Sequence, residues 1–451
     1  MNLELKNIKL PDFGIPEDRP VIPKEVYEER CSKLYEAAKC DWIFIYGDRE
    51  HFGNLYYLSG FDPRFEEAAL AIGPKNKKYL LVGNEGFDYS FKANKVDAEV
   101  LLTQSFSLLG QDRTQAPRLD NILREIGMSK EDTIGVIGWK YLEETETIPH
   151  ASNIFIPAMI VDGINSIIEK PVVDVTKVLM NPTDGLRAIN EVEEIVGLEF
   201  GAARASMAVN RIIEGSNNGM TEFQAVSNMG YAGDPLSAHI MFSSGKDKII
   251  GLSSPTAREL SKGDGVTTAV GYWGGLSCRA GLLADYDEEF LNEQAIPYFK
   301  GIAAWYEYAA IGVSGGDLFE KVSEVLAEGG LRPALNPGHL TSMDEWLHTP
   351  VRPNSQDVIQ SGMAIQLDII PAPLVDGVIL NCEDSVVFAD ENLRKQLAEK
   401  YPEVWKRITL RQRFLREEIG LNIDDSLLPL SSNPGYYSPF WLSPESVLTA
   451  K

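Results

Sequence analysis

The chain has 451 residues, 44% hydrophobic and 24% charged, which is the make-up of an ordinary folded protein with enough material for two domains. Basic side chains number 42 against 66 acidic ones, for a formal net charge of −24. That balance provides no phosphate-reading surface, so neither nucleic acid nor an anionic membrane is an expected partner.

The amino-terminal stretch MNLELKNIKLPDFGIPEDRP lacks the basic and apolar regions of a signal peptide. No apolar run reaches 18 residues, so no spanning helix is expected. Cys31, Cys40, Cys278 and Cys382 are spaced too widely for a disulfide framework or a CxxC zinc motif. A cytoplasmic protein is the expectation.

In chain order, residues 1–24 read as a polar, Pro-punctuated arm. A helical pattern follows over 25–39 and a strand over 41–48. Then come NLYYLSGF, strands at 68–72 and 78–83, a helix near 87–95 and a strand at 99–103. APRLDNILREIG reads as helix and TIGVIG as strand. Strands alternating with helices predict an α/β domain, and it holds no Gly-rich phosphate loop. Pro182 and Gly185 punctuate a boundary, giving domains of 1–180 and 181–451.

Beyond the boundary a long helix is predicted over 186–215 and another from Thr221 and Glu222. Short strands follow at 237–245 and within 265–286, then helices near 290–311 and 316–329. One more helix is predicted over 392–420. The tail SNPGYYSPFWLSPESVL is too apolar to hang free and should dock on the body or on a partner subunit.

The stretch from Asn336 to Phe388 organises the second half. It carries two of the five histidines, His339 and His348, and acids inside apolar strands: Asp368 in AIQLDII, and Glu383 with Asp384 before SVVF. A carboxylate in a sheet core is costly unless paired, hydrogen-bonded or metal-bound. His339, His348, Asp368 and Glu383 are therefore the candidate catalytic residues. His239 reads as a strand residue near the cleft, His51 and His150 as loop residues, and Asp344 and Glu345 as solvated. Cys382 alternates with Glu383 and should face away from it.

The order of these pieces resembles the creatinase/aminopeptidase P superfamily over nearly the whole length. NLYYLSGFDP, LRAINEVEEIVGLEFGA, FSSGKDKIIGLSSPT, SKGDGVTTAVG, NPGHL, SGMAIQLDIIP and NCEDSVVF follow one another in family sequence. The resemblance implies an α+β protein: a pita-bread catalytic domain behind a smaller α/β domain. It also implies a homodimer in which one subunit's N-terminal domain walls the other's site. The family's peptidases hold two metal ions with two Asp, one His and two Glu. Here Ala269 stands where the first Asp belongs. Cys278 or Ala280 takes the second, with Cys278 preferred because a hairpin shorter by two residues aligns GGLSC with the family's GYxSD while keeping strand parity. His339, Asp368 and Glu383 match the remaining ligands. Ser253 stands where the family has a substrate-contacting His, and no GxSxG elbow makes it a nucleophile.

Three functional readings stay open. One divalent metal (Zn, Fe or Mn) on His339, Asp368, Glu383 and possibly Cys278 would support metal-assisted hydrolysis. With no metal, a creatinase-like acid–base site would cleave a C–N bond of a small molecule or short peptide. The third reading is a non-catalytic ligand- or partner-binding protein. An ordinary dinuclear Xaa-Pro peptidase is disfavoured by the missing Asp. Ser253 and His239 are the candidate substrate contacts.

Overall fold

Strand β1 (Leu3–Asn7) pairs antiparallel with the last strand, Ser446–Ala450, in a computed structural model that describes residues 2–450. The described chain forms two units. One is Val21–Arg187; the other joins residues 2–20 to residues 188–450. The expected arm therefore belongs with the second half of the chain. Pairing with Ser446–Ala450 satisfies its backbone there, which the sequence of residues 1–24 alone does not indicate.

The Val21–Arg187 unit holds β2 (Trp42–Gly47), β3 (Ala68–Gly73), β4 (Lys77–Val82), β5 (Glu99–Leu102), β6 (Ile134–Ile137) and β7 (Val173–Asp174) in the order β5-β4-β3-β2-β6-β7. The β2–β6, β4–β5 and β6–β7 pairs are parallel, while β2–β3 and β3–β4 are antiparallel. WIFIYG and AALAIG are continuous apolar runs, the pattern of strands covered on both faces, and every residue of both is buried. Trp42, Phe44 and Val136 pack there with Leu123, Ile160 and Ile164 from the helices.

The second unit is built on β8 (Met241–Gly245), β9 (Gly265–Tyr272), β10 (Gly275–Leu282), β11 (Arg332–Pro333), β12 (His339–Leu340), β13 (Ala364–Ile369), β14 (Pro371–Ala372), β15 (Cys382–Phe388), β16 (Leu427–Pro429) and β17 (Ser446–Ala450). Seven of these form one antiparallel sheet, ordered β12-β13-β15-β10-β9-β8 with β16 on β15. The helix Val192–Gly215 lies across β9 and β10. Gly275 permits that approach, since a Cβ there would sit 2.5 Å from the Ala202 Cα.

Two helices differ from their predicted extents. The first starts at Val192 instead of 186 because the preceding backbone is used elsewhere: Leu186 and Arg187 N–H bond to Val178 and Leu179 carbonyls, and Asn190 N–H to that of Gly362. The predicted 392–420 helix is two, Glu391–Lys400 and Pro402–Glu417. Pro402 has no N–H to continue the first helix and suits the opening turn of the second. The aromatic tail docks on its own unit. Tyr437, Phe440 and Trp441 are buried, and Trp441 meets Phe242 edge-on at 6.0 Å. No helix among the described residues is long and apolar enough to cross a membrane.

Candidate active site

Strand register brings five residues into one row across the sheet. Asp368 on β13 is opposite Glu383 on β15, which is opposite Cys278 on β10. Cys278 is opposite Ala269 on β9, and Ala269 is opposite Met241 on β8. Directly opposed residues of antiparallel strands share a face, and all five line one cavity of about 1040 Å³. Of the two candidates for the second Asp position, Cys278 lines this cavity and Ala280 does not.

The two carboxyls in the row are in unlike states. Asp368 is 6% exposed, and its Oδ1 has no hydrogen-bond partner among the described residues. Burial pushes its pKa from 3.8 to about 6, with Glu345 adding to the rise and His339 opposing it. Glu383 accepts a hydrogen bond from Asn381 Nδ2 at 3.0 Å. Burial first, then the charges of Asp368 and Glu345, push it well above the ordinary carboxylate range. Asp368 thus ionises before Glu383 does. A pair of acids separated in this way can supply a base and an acid at one pH.

The Asp368 shift has a stability consequence. An acid with a raised folded pKa binds its proton more tightly in the folded chain. It favours folding below its unfolded pKa and loses that contribution as pH rises from 3.8 through about 6. A rise of this size corresponds to about 3 kcal/mol. Asp368→Asn should therefore match the wild type near pH 4 and exceed it by ~2–3 kcal/mol above pH 7. Urea denaturation across that range tests this, and a pH-independent difference would mean that the carboxyl is not shifted.

His339 is buried on the same side of the sheet, but its Nε2 faces Glu345 Oε1 at 3.0 Å, and its ring stacks on Trp346 at 4.1 Å. The local backbone accounts for this. Leu340 N–H bonds to His348 O, and Leu347 N–H to Leu340 O, so residues 341–346 form a loop that turns back on β12. Burial works against the imidazolium, and Glu345, with Asp368 and the Leu340 backbone adding to it, more than reverses this, so the His339 pKa is raised. Glu345, expected to be solvated, is instead part of the site: it lines the cavity with its side chain 25% exposed. The available signal was an acid six residues beyond a buried His.

The other predicted positions separate. His348 does not line the cavity, and its Nδ1 accepts the Thr349 N–H at 2.8 Å. His239 does line it, with Nε2 3.0 Å from Leu252 O. Ser253 is exposed and outside the lining, although its neighbours Gly251 and Leu252 are in it. Cys382 faces away from Glu383, with Sγ 3.9 Å from Asp384 Oδ2.

No family model and no curated protein matches the sequence. Solved structures do match. The Xaa-Pro dipeptidase from Bacillus anthracis is 15% identical with a TM-score of 0.61, over 82% of this chain and 96% of that one. The prolidase from Pyrococcus horikoshii OT3 is 17% identical at 0.61, over 80% and 95%. The X-Pro aminopeptidase from Thermotoga maritima MSB8 is 13% identical at 0.62, over 81% and 95%. The chain has the creatinase/aminopeptidase P fold. Its architecture is α+β, with the pita-bread sheet in the second unit.

The resemblance puts Ala269 and Cys278 at the two Asp positions of the dinuclear ligand set. Ala269 has no donor, and burial together with Glu383 pushes the Cys278 thiol well above its ordinary pKa, which disfavours the thiolate that a metal takes. His339 Nε2 is turned to Glu345. Among the described residues no group of three or more His, Cys, Asp or Glu side chains could hold a metal ion. Of the expected mononuclear set, Asp368, Glu383 and Cys278 line the cavity together, and His339 is turned to Glu345.

The opposite face of the creatinase-type sheet accounts for the remaining acid of the Glu383/Asp384 pair. Asp384 is fully buried, with Arg279 Nη2 at 2.7 Å, the Tyr306 hydroxyl at 2.8 Å and the Gly435 N–H at 2.8 Å. Alternation along β15 thus sends one acid to the cavity and the next to a structural ion pair.

Proposed function

We propose that this chain hydrolyses a C–N bond of a small molecule or short peptide by metal-free acid–base chemistry at Asp368 and Glu383. The observation that carries the reading is the placement of two carboxyls, opposed in register and unequal in proton affinity, on the floor of one large cavity. The Asp368 carboxylate, with an unpartnered oxygen, takes a proton from water as the water oxygen attacks the carbon. The Glu383 carboxylic acid gives its proton to the departing nitrogen. Transfer of a proton from Asp368 to Glu383 restores both groups. Glu345 holds His339 beside the floor and keeps that cation from pairing fully with Asp368. The reading includes the expected homodimer and the cytoplasmic setting.

Binding without turnover is the second reading. It is favoured by the largely apolar cavity wall and by the engagement of His339 with Glu345. The purified protein should be assayed on Xaa-Pro dipeptides, creatine and N-alkyl amides, with chelator and with added Zn, Fe or Mn. Turnover that survives chelator and rises with pH through about 6 is expected. Activity appearing only with added metal would overturn the acid–base mechanism, and inactivity on the whole panel would favour binding.

A further inference from the structure

The cavity wall is apolar well beyond the carboxyl floor. Met241, Leu276 and Ile379 are buried along it, and Leu252, Leu335 and Val375 line it while 74%, 57% and 61% exposed. Single exposed apolar side chains are ordinary, but three on the lip of one opening mark a binding surface. The charge in the lining is one-sided: Glu345, Asp368, Asp376 and Glu383 face a single lysine, the exposed Lys248. Of the acids near the floor, Glu345 is paired with His339 and Glu383 accepts a hydrogen bond from Asn381 Nδ2. Asp368 is left with a buried oxygen that has no partner among the described residues.

We propose that the cavity binds a long-chain primary amine, with its ammonium against Asp368 and its alkyl chain along the apolar wall to the lip. A buried carboxylate lacking a partner is costly, and an ammonium satisfies both its charge and its hydrogen bond. A hydroxyl would satisfy only the hydrogen bond, and an anionic head would meet like charge. The inference rests on the reading of this cavity as the substrate site, and it names the substrate class as long-chain N-alkyl amides. Water adds to the amide carbon, the C–N bond breaks, the acyl half leaves as a carboxylic acid, and the amine takes that acid's proton and becomes the cation that Asp368 holds.

Isothermal titration calorimetry of the whole protein with n-alkylamines from butyl to decyl, and with the matching alcohols and carboxylates, tests this by binding. Affinity for the amines should tighten roughly fourfold per methylene and exceed that for the alcohols by about tenfold or more. Asp368→Asn should remove the preference for amines and keep the dependence on chain length. Val375→Lys, at an exposed position on the lip, should weaken the longest amines most. Carboxylates binding as well as amines, affinity flat with chain length, or a preference for amines that persists in Asp368→Asn would each overturn the proposal. Tight amine binding with no amide cleaved would support it and remove the hydrolase reading. Cleavage of short polar amides with no amine binding would do the reverse.

Discussion

Glu383→Gln is expected to lower turnover by roughly 10²–10⁴-fold, the usual worth of a positioned general acid. The substitution is close to isosteric, and because burial favours the uncharged form of Glu383, a neutral amide disturbs the fold little. Gln keeps an oxygen for the Asn381 amide, which Glu383 now accepts at 3.0 Å. What it lacks is a transferable proton. Denaturation midpoints within about 1 kcal/mol of wild type would show that the loss is chemical. The pH profile provides an independent check. Wild-type activity should rise through about 6 as Asp368 ionises and fall again when Glu383 gives up its proton. A Glu383→Gln enzyme as fast as the wild type would remove Glu383 from the mechanism.

The second large effect is expected behind the sheet. Arg279→Met should destabilise the protein by about 3–5 kcal/mol, because it strands a buried carboxylate. The guanidinium donates to Asp384 Oδ1 at 2.7 Å and to carbonyls of Cys278, Glu383, Asn433 and Tyr436 at 2.6–3.0 Å. Burial acts against its charge, and Asp384 more than compensates, so the group stays firmly protonated. Replacing both partners, Arg279→Met with Asp384→Leu, should recover part of the loss, since no charge is then left alone. Urea denaturation of the two variants decides the point. A single variant within about 1 kcal/mol of wild type would mean that Asp384 is satisfied by Tyr306 and the Gly435 amide alone.

Much of this arrangement was legible in the sequence because a strand has a period of two. Acids inside AIQLDII and CEDSVVF had to be either paired or functional, and alternation placed Cys382 on the face opposite Glu383. Matching GGLSC to the family's pattern favoured Cys278 over Ala280, which share a strand face, and Cys278 is the one in the cavity. Partners far along the chain were not legible. Nothing local to Asp384 announces Arg279, which lies 105 residues away. The role of Glu345 depends on a loop closed by Leu340 and His348, and DEWLHTP on its own reads as a polar turn. The turn of the His339 ring nitrogen toward Glu345 was not legible either, because position in a motif does not set it. The split at Pro402 was readable from the proline itself, but the apolar periodicity continuing through it masked the break.

The β1–β17 ribbon has a consequence for how the chain is made. Residues 3–7 leave the ribosome before residues 446–450 and find their partners only when those emerge. The Val21–Arg187 unit lies wholly between them and uses contacts of its own, so it can fold while synthesis continues. The cavity unit, by contrast, stays open at one seam until residues 446–450 have been made, with β1 an unpaired edge until then. An edge of this kind is where another nascent chain could pair by mistake. Its sequence LELKN carries a glutamate and a lysine, the charges that discourage such pairing.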